Sequence, residues 1–490
     1  MTITRRAALA TLLAAAATPA LAEAPARSPR PAPRPGGVAA PAIARPGTAS
    51  GPATADLIAA ARLGGKTGAA VVDVATGTLL DAVEPELALP PASCLKAVTA
   101  LYGLERLGPD WRFPTRLIAT GPIAGGTLQG DLILAGGGDP TLTTDTLGDL
   151  AAALRAAGLR AVAGRFVVAT GALPQTPQID TDQPVHVGYN PAIAGLNLNF
   201  NRVHFEWNRA QSGWKVQVDA RGERFVPLVQ GARVRIVDRA TPVYTYADRD
   251  GTETWSVAAA ALGQGGSRWL PVRRPGDYAG EVFRTLAAAQ GITLPRAEVT
   301  GGQPPAGTVL AQAQSPGLGP LLRDMLRHST NLTAEAVGLA ASRARSLRAS
   351  AEAMAGWVQD RYGVPATFVD HSGLGAASRI APQAMAALLA RAHRAGALPP
   401  LLRPFPVTDR RDGPAVVAKT GTLSFVSGLA GYATARSGRV LAFAIFAADL
   451  PRRAGIPADQ RERPAGGSEW TRRARGMQAR VVERWATVFA

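Results

Sequence analysis

The texture of the chain changes twice along its length, and this limits its fold more than any other feature. Residues 69–73 and 77–81 have the alternation of two strands around a turn, and a helix follows at about 92–107, opened by Pro90 and Pro91 and closed by Gly108. Between about 113 and 285 the chain breaks into short β-like runs at 117–119, 131–134, 165–168, 203–207, 214–218 and 233–237. Gly, Pro, Asp and Thr separate them, and one helix interrupts at 147–157. Helices return at 278–290, 318–328, 333–344, 350–362 and 382–395. A last β block covers 415–448, with a hairpin at Arg436-Ser437-Gly438, before a closing helix at 469–488. α/β, then β-rich, then α/β predicts one α/β domain in two parts, 54–112 and 286–490, split by a β-rich insertion at 113–285. With 490 residues the chain can bury more than one core.

Ahead of this lies an export leader. Arg5 and Arg6 precede an apolar stretch at 7–17, and Ala20-Leu21-Ala22 supplies a small-x-small cleavage site, so residues 1–22 read as a signal peptide. Thr4-Arg5-Arg6-Ala7-Ala8-Leu9 resembles a twin-arginine signal without its usual aromatic residue. No cysteine follows the apolar core to carry a lipid, and no later apolar run reaches about 18 residues, so no stable membrane anchor is expected. Residues 23–53, rich in Pro, Ala, Arg and Gly, bury too little apolar surface to order themselves and read as a spacer.

The formal charge of +17 raises the question of nucleic acid. The basic residues are 49 Arg and only four Lys, scattered without a basic run, an RNA-binding aromatic motif or Cys/His finger spacing, so no nucleic-acid partner is expected. Cys94 stands alone and excludes an intrachain disulfide. The five histidines show neither an i, i+4 pair nor HExxH, so neither a metal nor another cofactor is expected.

Chemistry concentrates in three short stretches. Ser93-Cys94-Leu95-Lys96 starts the Pro-led helix, where the i, i+3 spacing sets Ser93 and Lys96 side by side and the free N–H groups favour developing negative charge. A serine hydroxyl attacks only once a base takes its proton, and a desolvated lysine can serve, which an arginine cannot. Ser329-Thr330-Asn331 lies between two predicted helices; its serine can relay a proton, and its amide can position substrate and lysine. Lys419-Thr420-Gly421-Thr422 lies on a strand of the last β block. There Gly421 permits close approach, while Lys419, Thr420 and Thr422 can hold a terminal carboxylate. Backbone N–H groups of Ser93 and Thr422 are candidates for an oxyanion hole. The chain contains its own controls in Ser212-Gly213-Trp214-Lys215, which falls in strand-like sequence, and Lys66-Thr67-Gly68, which precedes every other motif. Order and predicted context set the first trio apart from these chance matches.

Ser-x-x-Lys, a Ser-x-Asn and Lys-Thr-Gly in this order make the motif set of penicillin-binding proteins and class A β-lactamases. With 236 positions from Ser93 to Ser329, the chain resembles the low-molecular-mass penicillin-binding proteins that combine D-alanyl-D-alanine carboxypeptidase and endopeptidase activity and carry a large insertion between their first two motifs. Further matches are Leu134-Ala135-Gly136-Gly137-Gly138-Asp139-Pro140, Leu196-Asn197-Leu198-Asn199-Phe200-Asn201, Asp370-His371-Ser372-Gly373-Leu374 and Leu429-Ala430-Gly431-Tyr432, and the resemblance runs from about residue 55 to the C-terminus. Thr330 departs from the Asp or Asn common at the middle of the second motif. The resemblance implies a penicillin-recognising α/β fold, an antiparallel sheet flanked by helices with a β-rich inserted domain, in a periplasmic enzyme. It implies catalytic roles for Ser93, Lys96 and Ser329, and substrate-binding roles for Asn331, Lys419, Thr420, Gly421 and Thr422. Peptidoglycan peptides are the implied substrates and β-lactams the implied covalent inhibitors. The rivals are a β-lactamase or esterase with the same motifs, against which the long insertion speaks, and an inactive peptidoglycan-binding scaffold, against which the intact motifs speak.

Other residues have plainer readings. Gly136-Gly137-Gly138-Asp139 lacks the Gly-Lys-Ser/Thr of a phosphate loop and reads as a tight turn. His328 adjoins Ser329 without a Gly-x-Ser-x-Gly elbow, against a Ser–His triad. Cys94 reads as a small buried helix residue rather than a reactive thiol. The 370–373 stretch suits both a place beside the active site and a plain turn.

Overall fold

The computed structural model describes residues 51–408, 413–457 and 460–490; the expected signal peptide and nearly all of the spacer lie outside these. In chain order the first part supplies α1 (Thr54–Ala60), β1 (Lys66–Asp73), β2 (Leu79–Val83) and, after a 3-10 turn over Ala92–Cys94, α2 (Leu95–Leu107). The middle supplies β3 (Pro114–Ala119), β4 (Leu132–Gly136), α3 (Thr144–Ala156), β5 (Phe166–Ala169), β6 (Arg202–Arg209) and β7 (Trp214–Asp219). It continues through β8 (Ala232–Val237), β9 (Tyr244–Arg249), β10 (Thr252–Ala258), β11 (Gly265–Pro271), α4 (Pro275–Ala289), β12 (Ala297–Thr300) and β13 (Thr308–Gln314). The last part holds α5 (Leu318–His328), α6 (Asn331–Ser342), α7 (Leu347–Tyr362), α8 (Pro382–His393), β14 (Arg403–Pro404), β15 (Ala415–Leu423), β16 (Val426–Thr434), β17 (Val440–Ala448) and α9 (Gly467–Val488).

Six strands in the order β14-β15-β16-β17-β1-β2, every neighbouring pair antiparallel, form the central sheet. Strand β17 explains why its sequence is apolar throughout. Ala442, Ala444 and Phe446 enter the core shared with α2 and α5 to α8, while Leu441, Phe443 and Ile445 enter a second core under α1 and α9. Alternate side chains leave opposite faces of a strand, so one covered on both sides has no polar face to show. Trp470 and Trp485 of α9 are fully buried against the second face, and their indole N–H groups donate to the Leu63 carbonyl (2.6 Å) and the Asp81 carboxylate (2.9 Å). On the first face α2 is buried at every position from Leu95 to Gly103, as befits a central helix, and Lys96 is the single charged residue in that run. Gly103 lets it approach α6, since a Cβ there would lie 2.6 Å from Val337.

The insert has its own core. Strands in the order β12-β5-β4-β3-β13 form a mixed sheet, accompanied by the three-stranded sheets β7-β6-β11 and β8-β10-β9. Residues such as Leu134, Phe166, Phe205, Trp255 and Phe283 close a cluster separate from both faces of the central sheet. The expected end of the insert at 285 falls inside α4, and β12 and β13 beyond it hydrogen-bond into the insert sheet, so the insert extends to Gln314. Chain entry and exit are stitched together where the Phe113 N–H donates to Ser315 Oγ (2.9 Å) and the Ser315 N–H to the Phe113 carbonyl (3.0 Å). β12 and β13 are mostly exposed edge strands with polar faces, and they carry little of the apolar alternation that marks a half-buried strand.

Candidate active site

Ser93 occupies the 3-10 turn that leads into α2, and the backbone holding it is strained: Ala92 has φ +46°. Two glycines make room for this turn. A Cβ on Gly373 would lie 1.9 Å from the Ala92 carbonyl, and one on Gly421 3.0 Å from the Ser93 nitrogen. The first helical turn places Lys96 Nζ 3.0 Å from Ser93 Oγ, and the same ammonium nitrogen reaches Asn331 Oδ1 at 2.6 Å and the Ser372 carbonyl at 2.8 Å. Lys96 is fully buried. Burial, and then the charge of Lys419, press it down from the usual lysine range to about 7, against the pull of Glu335 and Asp370.

The second motif lies between α5 and α6, where Ser329 ends α5 in the left-handed region (φ +59°) and Asn331 opens α6. Asn331 uses both ends of its amide, accepting from Lys96 and donating through Nδ2 to the Tyr189 carbonyl of the insert at 2.8 Å. The third motif lies on β15. Lys419 Nζ reaches Ser329 Oγ at 3.1 Å and the Thr420 carbonyl at 2.7 Å, and burial presses it down to about 8. Edge strand β14 pairs only with Val417 and Ala418, so among the described residues no strand covers that edge of β15 at the motif.

Three stretches spread over the chain thus meet at one cleft of about 550 Å³, on whose wall lie Ser93, Ser329, Asn331 and Thr422, together with Gln183 and Tyr189 of the insert. Lys96, Lys419 and Gly421 are buried behind the wall. Thr420 does not line it, and its hydroxyl accepts from Arg403 at 3.4 Å. The two decoys lie elsewhere: Ser212 and Lys215 are exposed at the β6–β7 hairpin, and Lys66 begins β1. His328 is exposed on the last turn of α5 while Ser329 Oγ faces Lys419, the opposite of a Ser–His arrangement. Cys94 is wholly buried, its Sγ 3.2 Å from the Lys419 carbonyl, and burial pushes the thiol up to about 12.

Of its two readings, the 370–373 stretch takes the first. Ser372 supplies a carbonyl to Lys96, and Thr99 Oγ1 donates to the His371 carbonyl at 2.6 Å. His371 itself is buried, its Nε2 2.7 Å from Ser350 Oγ, and burial presses it down to about 3, so it stays neutral. Two buried acids brace the stretch. Asp370 accepts from the Gly373 and Gly375 N–H groups, and Glu335 accepts from the His371 and Ser372 N–H groups, both at 2.9 Å. Burial raises both carboxyls, and in Glu335 the charge of Asp370 adds to it. Sequence reasoning did not single out Glu335. Its signal was there, as the single acid in the otherwise uncharged α6, four residues after Asn331 and on the same helix face. The Tyr189 carbonyl carries no such signal, because any residue type can offer one.

Comparison with known proteins places the chain in a family. The D-alanyl-D-alanine carboxypeptidase of an Actinomadura species is 29% identical over 429 residues, covering 78% of this chain and 77% of its own. The D-alanyl-D-alanine carboxypeptidase DacB of Haemophilus influenzae is 26% identical over 384 residues, covering 72% of this chain and 79% of its own. The crystal structure of penicillin binding protein 4 (dacB) from H. influenzae superposes with a TM-score of 0.68 at 22% identity, covering 85% of this chain and 99% of that one, and so shares the fold. Residues 53–473 match the D-Ala-D-Ala carboxypeptidase 3 (S13) family, and the chain belongs to that family of serine-type hydrolases.

Proposed function

We propose that the protein hydrolyses peptidoglycan stem peptides and cross-links as a D-alanyl-D-alanine carboxypeptidase and endopeptidase, through an acyl-enzyme on Ser93. The observation that carries this reading is the position of Lys96 Nζ, buried and within 3.0 Å of Ser93 Oγ. With the lysine pressed down to about 7, a large share is neutral at neutral pH and ready to accept the serine proton. The freed oxygen attacks the carbonyl between the last two D-alanines, or the one at a D-alanyl cross-link. Its negative charge falls to the Ser93 and Thr422 N–H groups. Leu423 and Val426 close a two-residue hairpin, so the alternation of an antiparallel ladder turns the Thr422 N–H outward, to the open edge of β15. Lys419 supplies positive charge, Thr422 a hydroxyl and Gly421 clearance for the substrate's terminal carboxylate, with Thr420 holding Lys419 in place through its carbonyl. Ser329, hydrogen-bonded to Lys419, relays a proton to the leaving amine, and water then hydrolyses the ester. Asn331 keeps Lys96 aimed at Ser93.

β-Lactams mimic the acyl donor, so they acylate Ser93 and deacylate slowly; the H. influenzae relative of the same fold is known complexed with a β-lactam. The leader expected at residues 1–22 supports action in the periplasm, and no helix among the described residues is long and apolar enough to cross a membrane. Fluorescent penicillin labels the wild-type protein covalently, and Ser93→Ala abolishes that labelling. Label retained by the alanine variant refutes the assignment, and fast turnover of the penicillin makes the chain a β-lactamase instead.

A further inference from the structure

The cleft asks for more positive charge than Lys419 delivers. Two of the three N–H groups of that ammonium are committed to Ser329 Oγ and the Thr420 carbonyl, and the side chain is buried behind the wall. The Thr420 hydroxyl is off the wall and engaged by Arg403, which does not line the cleft either. Thr422 is therefore the one hydroxyl of the third motif that faces the cleft, and its Oγ1 accepts a hydrogen bond from Arg475 Nη2 at 3.3 Å.

Arg475 comes from α9, at the far C-terminal end of the chain. Ser468, Thr471 and Arg475 follow one another at i, i+3 and i+7, lie on one face of the helix and line the same cleft as Ser93. The other face is locked down: Trp470, Ala474, Met477 and Gln478 are buried, and Ser427 Oγ of β16 donates to Gln478 Oε1 at 3.3 Å. Three more arginines line the cleft, but two of them are tied to backbone, Arg453 to the Ser424 carbonyl (3.1 Å) and Arg461 to the Asp182 carbonyl (2.6 Å). Arg475 is the cleft arginine that touches a motif side chain.

We infer that Arg475 is a specificity residue for substrates whose leaving group carries a free carboxylate next to the scissile bond. This rests on the reading of Ser93 as the acylated residue. By donating to a lone pair of Thr422 Oγ1, Arg475 leaves the hydroxyl proton free to turn into the cleft, and its remaining N–H groups stay available for the same carboxylate. A guanidinium suits this task, because its planar fork matches the two oxygens of a carboxylate. Both leaving groups of the proposed reaction, a terminal D-alanine and the D-centre of a cross-linking diamino acid, present that carboxylate.

The test uses a matched pair of activated acyl donors, an N-acyl-D-alanyl thioglycolate with its free carboxylate and the corresponding methyl ester, so that both turn over. Arg475→Gln lowers kcat/KM for the free acid by about 10- to 100-fold, the worth of a charge-assisted hydrogen bond, and leaves the methyl ester nearly unchanged. Arg475→Lys restores part of the preference. Equal losses on both donors, or none on either, overturn the inference. Saturating fluorescent penicillin that labels the Gln variant, and no longer labels it once Ser93→Ala is added, shows that the Ser93 reading stands independently, and an unchanged melting temperature shows that the variant is folded.

Discussion

The lysine beside Ser93 makes a pH profile the sharpest test of the mechanism. In water a lysine titrates near 10.5, so at pH 7 only about 3 in 10,000 such side chains are neutral. Pressed down to about 7 by burial and by Lys419, Lys96 is about half neutral at pH 7, more than a thousandfold gain in competent base. Below that point the neutral fraction, and kcat/KM with it, falls about tenfold for each pH unit, reaching about a hundredth by pH 5. On the alkaline side Lys419 loses its proton through about 8, and with it the charge that attracts the carboxylate. The profile for a carboxylate substrate is therefore a narrow bell between those two values, whereas a carboxylate-free thioester follows only the acid limb and stays high above pH 8. Stopped-flow acylation between pH 5 and 10, with the two substrate types side by side, measures both limbs. An acid limb centred above pH 9 would mean that an ordinary lysine, or no lysine at all, takes the proton, and the general-base assignment of Lys96 would fall.

Two further predictions follow from the packing around the nucleophile. Cys94, though adjacent to Ser93, is sealed and its thiol is pushed up to about 12, so a thiol reagent leaves the native protein unmodified and titrates one thiol per chain only after denaturation. Rapid labelling in the native state contradicts the packing of the 3-10 turn at Ala92–Cys94 against β15. Gly373→Ala sets a Cβ 1.9 Å from the Ala92 carbonyl at a position with φ +75°, so we expect a loss of about 2 kcal/mol or more in stability, read by urea unfolding, and at least a tenfold drop in penicillin acylation. Wild-type acylation in that variant would show that Ser93 does not depend on the Ala92 turn.

The parts of the fold that were legible in the sequence are those whose signal is local. α2 is marked at both ends by Pro90-Pro91 and Gly108, and α8 by Pro382; each was placed to within a few residues. The β16–β17 hairpin was visible as strand because strands covered on both faces carry almost no polar residues. The edge of the insert was not legible. β12 and β13 earn their place by pairing with β5 and β3, over 100 positions away, and their own side chains are largely in solvent.

The site divides along a similar line, between the residues proposed to act and those that set their surroundings. Ser93, Lys96, Ser329, Asn331 and Lys419 declared themselves through side-chain chemistry at fixed spacing, and they do converge. What spacing cannot convey is the electrostatic setting. Two lysines buried close together repel, and burial together with the charge of Lys419 would press Lys96 below about 7 were Glu335 and Asp370 not pulling it back up. Those acids are held by backbone N–H groups of the 370–375 segment, which in turn fixes the Ser372 carbonyl that Lys96 touches. The poise of the proposed general base thus belongs to a closed set of buried ionisable groups and main-chain dipoles rather than to the lysine itself. The insert takes part in that set, since the Tyr189 carbonyl holds the amide that holds Lys96. In the proposed mechanism the insertion between the first two motifs therefore helps to position Lys96 as well as lining the cleft.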